Sequence, residues 1–230
     1  MTIDAVIPAR DEELTVAPNV AAARCCRHVR DVIVVDDGSL DATAAVARAA
    51  GARVVSRSAP GAPGSKALAL AAGVAATDAR SILFLDADCV GLSVGHLDRL
   101  CEPYLAGVAA MSIGLFDYGR RLNPLVRRLP PLSGERVLPR WVFESIPPSK
   151  LDGYTVEVRL NEVVCEGRLG TVVRTMPGVH HRTKREKLGT AAGLAATWHM
   201  YRALLGLVRP FGDIRLRTYL QYLRDLTVLP

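Results

Sequence analysis

Along the first half of the chain one pattern recurs: a short unbroken apolar run, a polar break, then an alanine-rich stretch with helical spacing. Strands covered on both faces read as continuous apolar runs, and their alternation with helices marks β-α-β units around a parallel sheet. The runs are Ile3-Asp4-Ala5-Val6-Ile7, Val32-Ile33-Val34-Val35, Arg53-Val54-Val55 and Ile82-Leu83-Phe84-Leu85. The stretches between and after them predict helices over about 12–27, 41–50, 65–76 and 94–105, the second opened by Asp41 and stopped by Gly51. From about residue 108 the alternation weakens. Val108 to Leu115 predicts another strand, an Arg- and Pro-rich loop follows, and the rest predicts helices near 133–145 and 153–163 and a strand near 171–176. Two terminal helices are expected near 190–207 and 213–228. No repeat beyond the β-α unit is present, and no linker is long enough to separate two independent domains.

Composition narrows the class. The 230 residues carry 29 Lys+Arg against 23 Asp+Glu, a net charge of +6, and are 50% hydrophobic and 5% aromatic, which excludes disorder and collagen-like order and fits one globular α/β domain. Cysteines fall at 25, 26, 89, 101 and 165 with no C-x-x-C pair, so a reduced, cytoplasmic compartment is the expectation. Uncharged stretches such as Tyr104 to Phe116 fall short of the roughly 18 residues a spanning helix needs. The basic excess comes from 25 arginines spread along the chain, with no basic stripe interleaved with aromatics, which argues against a nucleic-acid partner.

In an open parallel sheet, ligands bind beyond the carboxyl ends of the strands. Here those ends are polar: Pro8-Ala9-Arg10-Asp11-Glu12-Glu13, Asp36-Asp37-Gly38-Ser39 and Asp86-Ala87-Asp88. Carboxylates converging on one edge repel one another, and a hard divalent cation, Mg2+ or Mn2+, relieves that repulsion. Asp86 and Asp88, at i and i+2 on an extended segment, leave from one side and are suited to one ion; taken alone, the pair equally suits a cap on the next helix. Lys66 at a helix start opposes the helix dipole, which points it to a ligand. The pair His180-His181 follows a strand-like stretch and a Pro177-Gly178 turn, and imidazole is a fitting third ligand beside carboxylates.

The combination resembles the nucleotide-sugar-dependent glycosyltransferases of family 2, with the GT-A fold, over about residues 3–182. That fold is a Rossmann-like nucleotide-binding sheet flanked by helices, here with a smaller C-terminal acceptor region and terminal helices. The resemblance implies that Pro8, Ala9, Arg10 and Glu12 border the nucleotide and Asp37 holds the uracil or ribose. It implies further that Lys66, in Gly64-Ser65-Lys66-Ala67, contacts the donor, while Asp86 and Asp88 serve ribose, sugar and metal. The second half resembles a narrower branch, the glucosyl-3-phosphoglycerate synthases. The echoes are Gly119-Arg120, Pro131-Leu132-Ser133-Gly134-Glu135, Gly153-Tyr154-Thr155-Val156-Glu157 and His181-Arg182. By that resemblance Gly119, Arg120 and the Ser133-Gly134 turn meet an acceptor phosphate, Glu157 sits by the acceptor hydroxyl as a catalytic group with Asp88, and His181 joins Asp88 at the metal.

These likenesses imply a metal-dependent hexosyltransferase with a UDP-glucose or GDP-mannose type of donor and a small, phosphorylated acceptor. About 1–107 would bind the nucleotide sugar, 108–182 the acceptor, and 183–230 would form helices packing on the domain or a partner. A sugar nucleotidyltransferase normally carries a glycine-rich loop after its first strand, and Pro8 to Glu13 lacks glycine. Against a non-catalytic nucleotide-binding module stand Asp86, Asp88 and Lys66. On pattern alone Glu157, with Glu162 further along, reads as a solvated face, and Arg127 and Arg128 as a solvated basic loop. The stripe Ile214, Leu216, Leu220, Leu223, Leu226, interleaved with arginines, suits packing on the domain, a homodimer contact, or an anionic membrane surface that a lipid-phosphate acceptor would require.

Overall fold

A computed structural model describes residues 2–126, 132–151, 155–181 and 216–229. The sequence folds as alternating strands and helices through its first half: β1 (Ile3–Ala9), α1 (Val16–Cys25), β2 (Val29–Asp36), α2 (Thr43–Ala49), β3 (Arg53–Ser56), α3 (Lys66–Ala75) and β4 (Ser81–Phe84). There follow β5 (Cys89–Val90), α4 (Val94–Leu105), β6 (Met111–Leu115), α5 (Asn123–Val126), β7 (Arg136–Pro139), α6 (Arg140–Glu144), a short 3-10 turn at Pro148–Lys150, α7 (Val156–Glu166), β8 (Thr171–Thr175) and β9 (His180–His181). The described tail holds α8 (Leu216–Arg224) and β10 (Leu226–Leu229).

Eight strands form one sheet in the order β10-β8-β6-β7-β4-β1-β2-β3, and β5 pairs with β9 in a separate two-stranded ribbon. Every pairing in the large sheet is parallel except those of β7, which runs antiparallel to both β4 and β6. Because strand side chains alternate between faces, Val6, Ile33 and Val35 belong to a core shared with α3, α6, α7 and α8. Ala5, Ile7 and Val34 belong to the opposite core, with α1, α2 and α4. Helices thus cover both faces, the layering that continuous apolar runs require.

Three expectations change. The helix expected at 133–145 is a strand followed by a short helix: Val137 and Leu138, both fully buried, face opposite cores, and β7 fills the slot between β4 and β6. A central position there leaves backbone donors and acceptors of both neighbours to be satisfied, which only a strand does. The last helix ends at Arg224, and Leu226-Thr227-Val228-Leu229, β-prone residues, add an edge strand to β8. The helix near 12–27 starts late, because Glu12 to Thr15 form a turn in which the Glu12 carbonyl accepts from the N–H of Thr15 and of Val16. The helix expected at 190–207 lies outside the described residues. Part of the tail stripe is spent on the domain: Tyr222 is buried, and Leu223 and Leu226 pack against the core. No helix among the described residues is long and apolar enough to cross a membrane.

Candidate active site

The carboxyl ends of β1, β2 and β4 lie side by side, since β1 pairs with β2 on one side and β4 on the other. After β2 the chain must turn sharply. Asp36 closes the turn by accepting the Ser39 N–H at 3.1 Å, and Gly38 adopts φ +80°, where an added Cβ would lie 2.6 Å from the Ala59 carbonyl. Asp37, buried, then collects the following loop. Its carboxylate accepts from the Arg57 guanidinium, the Ser58 hydroxyl (3.3 Å) and the Ser65 N–H (2.6 Å). Arg10 reaches the same loop through Nη1, which donates to the Ala62 carbonyl at 2.7 Å and the Asp37 carbonyl at 3.3 Å.

Pro8 and Ala9 end β1 beside Val35 and Asp36, and the Ala9 carbonyl accepts the Asp37 N–H at 2.9 Å. Glu12 is buried; its N–H donates to Thr43 Oγ1 at 2.7 Å and its carboxylate accepts from Thr15 Oγ1 at 3.0 Å. The nucleotide edge expected from sequence is therefore one hydrogen-bonded body, with Arg57 as a member that no motif signalled.

Lys66, the first residue of α3, extends to the end of β4. Its Nζ lies 2.6 Å from Asp86 Oδ1 and 2.7 Å from Glu157 Oε1 on α7. Burial opposes the ammonium charge, but the two carboxylates outweigh it and hold the Lys66 pKa well above the ordinary lysine value. Glu157 is buried rather than on a solvated face. Asp86, Asp88 and His181 each offer a ligand atom, and the three atoms lie within 4.8 Å of one another. His181 Nδ1 is 3.2 Å from Asp88 Oδ1, and its ring packs on Phe116 with centroids 3.7 Å apart. Burial of the imidazole opposes its charge, but Asp88, Asp86 and Glu135 outweigh that and raise its pKa. Two carboxylates and one imidazole form a donor set that suits Mg2+ or Mn2+. Of the two histidines, His181 is the one placed here, while His180 is exposed.

Gly134 and Ser133 precede β7. A Cβ on Gly134 would lie 2.5 Å from both Asp86 carboxylate oxygens, so only glycine fits against that side chain. The buried Ser133 hydroxyl points inward, to the Gly114 carbonyl and to Glu135 Oε2 at 2.6 Å. Gly119 and Arg120 are exposed on the loop after β6. Asp117 ties that loop to the turn before β9: its carboxylate accepts from the N–H of Gly119 (2.9 Å), the Asn123 amide (2.9 Å) and the N–H of Gly178 (2.9 Å). Arg127, Arg128, Gly153, Tyr154 and Arg182 lie outside the described residues.

Sequence reading named Glu135 only as the end of the Pro131–Glu135 motif, with no role, and passed over Arg136 and Asn19. Fully buried Arg136 donates to the Ser133 carbonyl (Nε, 3.0 Å), the Glu157 carbonyl (3.4 Å) and Asn161 Oδ1 (3.1 Å), joining the turn before β7 to the helix that bears Glu157. The only advance signal was chemical: a Glu-Arg pair abutting Val137-Leu138, two charges at the entrance to an apolar pair.

A mostly parallel sheet covered by helices on both faces, with an antiparallel strand beside the D-x-D end and a carboxylate-histidine cluster at its carboxyl edge, is the GT-A fold. The chain belongs to glycosyl transferase family 2, whose family model matches residues 4–150. It is 31% identical over 195 residues to the glucosyl-3-phosphoglycerate synthase of Mycobacterium tuberculosis and 33% identical over 193 to that of Mycolicibacterium smegmatis. The first alignment covers 69% of this chain and 59% of that relative, the second 69% and 62%, so the chain spans about three fifths of the length of these relatives. The M. tuberculosis synthase crystallised with Mn2+, UDP and glucosyl-3-phosphoglycerate superposes with a TM-score of 0.71 at 28% identity, covering 89% of this chain and 77% of the other. The same synthase with Mn2+, UDP-glucose and phosphoglyceric acid gives 0.71 at 27% identity, over 97% and 80%. Its complex with Mg2+ and UDP gives 0.65 at 28% identity, over 85% and 78%.

Proposed function

We propose that this chain is a divalent-metal-dependent glucosyltransferase that moves glucose from UDP-glucose to a small phosphorylated acceptor of the phosphoglycerate class. The observation that carries the reading is the Asp86, Asp88 and His181 donor set lying beside the Lys66 bridge and the Asp37–Arg57 edge. Residues of about 1–107 hold the donor and those of about 108–182 the acceptor, while the described tail, Leu216–Leu229, packs on the domain. Cysteines not joined in disulfides and the proposed phosphorylated metabolite acceptor fit a cytoplasmic setting.

In this reading Pro8, Ala9, Arg10, Glu12 and Asp37 frame the nucleoside. Asp88 and His181 hold Mn2+ or Mg2+, with Asp86 beside them. The bound ion supplies charge neutralisation to the departing diphosphate. Lys66, pinned between Asp86 and Glu157, holds both carboxylates fixed in direction, so they accept hydrogen bonds from sugar and acceptor hydroxyls. Glu157 orients the acceptor hydroxyl, and Gly119 and Arg120 meet the acceptor phosphate, Arg120 by bidentate hydrogen bonding, whereas the Ser133 hydroxyl is spent inward on Gly114 and Glu135. Orientation of this kind lowers a two-substrate barrier by several kcal/mol, up to about 7–11.

The test is UDP release and product mass with UDP-glucose or GDP-mannose, 3-phosphoglycerate, and Mn2+, Mg2+ or chelator. Turnover with UDP-glucose and phosphoglycerate that vanishes on chelation is expected. Absence of both turnover and metal-dependent UDP binding would sink the reading.

A further inference from the structure

The segment Asp86-Ala87-Asp88-Cys89 turns tightly at the end of β4, and two buried side chains grip it from opposite chemical sides. Glu135, wholly buried at the entry to β7, takes the donors: its Oε1 accepts the Asp86 N–H at 3.2 Å and the Cys89 thiol at 3.0 Å. Its Oε2 is fixed in turn by the Ser133 hydroxyl at 2.6 Å. Asn19, 1% exposed on α1, takes the acceptors: its Nδ2 lies 3.0 Å from the carbonyls of Ala87 and of Cys89, and 3.0 Å from the Thr15 carbonyl one turn back on its own helix. Neither residue contributes to the three-donor cluster, yet between them they bond the main chain at Asp86, Ala87 and Cys89, every residue of the turn except Asp88 itself.

We infer that Asn19 and Glu135 are positioning residues: a two-sided clamp that fixes the backbone of the D-x-D turn and so sets the separation of Asp86, Asp88 and His181. The inference rests on the functional reading above. A metal site tolerates little error in ligand placement, and groups that orient ligands from behind are worth about 10–100-fold in metal affinity. What matters in this clamp, beside the charge Glu135 adds near His181, is the length and acceptor geometry of residue 135. Glutamine at 135 keeps Oε1 in place for the Asp86 N–H and the Cys89 thiol, and offers Nε2–H to the Ser133 oxygen. Aspartate keeps the charge but is one methylene too short to reach.

The test is isothermal titration of Mn2+ and UDP into the full chain and into E135Q, E135D and N19A, each checked by thermal unfolding. E135Q should bind Mn2+ like the parent, while E135D and N19A bind it about 10–100-fold more weakly. At saturating Mn2+ kcat should recover. A purely structural residue would lower the melting temperature and leave Mn2+ affinity alone. Parent-like Mn2+ affinity in E135D, or affinity in E135Q as poor as in E135D, would overturn the Glu135 side, and parent-like affinity in N19A the Asn19 side. A parent chain that fails to bind UDP with Mn2+ would overturn the functional reading itself, a separate result.

Discussion

Single residues in this site are constrained by what they touch. Gly134 is pressed against the Asp86 carboxylate, so G134A forces Asp86 aside. The expected outcome is a folded protein with weakened Mn2+ and UDP binding, measured by titration; unchanged affinity would show that Asp86 moves freely. Asp117 permits a prediction of a different kind. Hydrogen bonds from the Gly178 N–H, the Asn123 amide and the Gly119 N–H lower its pKa from 3.8 to about 2. A carboxyl depressed in the folded state stabilises the fold fully above its unfolded pKa, near 4, and that contribution is lost as pH falls through about 2. D117N keeps one acceptor but aims an NH2 at a backbone donor. Its melting temperature should lie below the parent's at neutral pH, and the gap should shrink between pH 4 and 2.

At the level of elements, the two halves of the chain differ in how openly they declare themselves. β1, β2 and β4 are apolar runs followed by polar, acid-rich segments, and their strand character follows from that transition. β7 offered four residues, Arg-Val-Leu-Pro, after one glycine and one charge, Gly134-Glu135. Its strand state is imposed by β4 and β6 on either side, a tertiary effect no local period encodes. The burial of Glu135 and Arg136, which come with it, was hidden for the same reason: burial of a charged pair is set by neighbours distant in sequence. That Lys66, Asp86 and His181 come together was foreshadowed by motifs, whereas Arg57 and Asn19 sit in no motif. The tail is the other misjudged element. Tyr222 on α8 is buried against α7, its hydroxyl donating to Asn161 Oδ1 at 3.2 Å. Y222A should cost about 3 kcal/mol in denaturant unfolding, and a loss below about 0.5 kcal/mol would mean the tail does not dock in solution.

For the whole molecule, ligand binding and stability are linked. UDP with Mn2+ at about 100 times its dissociation constant adds about 2.7 kcal/mol, which for a domain of this size raises the melting temperature by about 5–10 °C. Chelator should erase the shift, and so should D88A, which removes one ligand atom from the cluster without touching either core. A shift that persists in D88A would take Asp88 out of the site.

The ribbon of β5 and β9 pairs Cys89 with His181, and Asp88 with its imidazole partner spans 93 positions of sequence. During synthesis the nucleotide edge, complete by residue 66, and both aspartates emerge well before the histidine. Closing so long a loop is slow, since its entropy is lost before any contact forms. A nascent or clipped chain ending before β9 would therefore carry the proposed nucleotide edge without the third donor of the proposed metal site. Ion affinity becomes a marker of completion, because a donor is secured by an ion only after residue 181 has returned to the strand end where the site began.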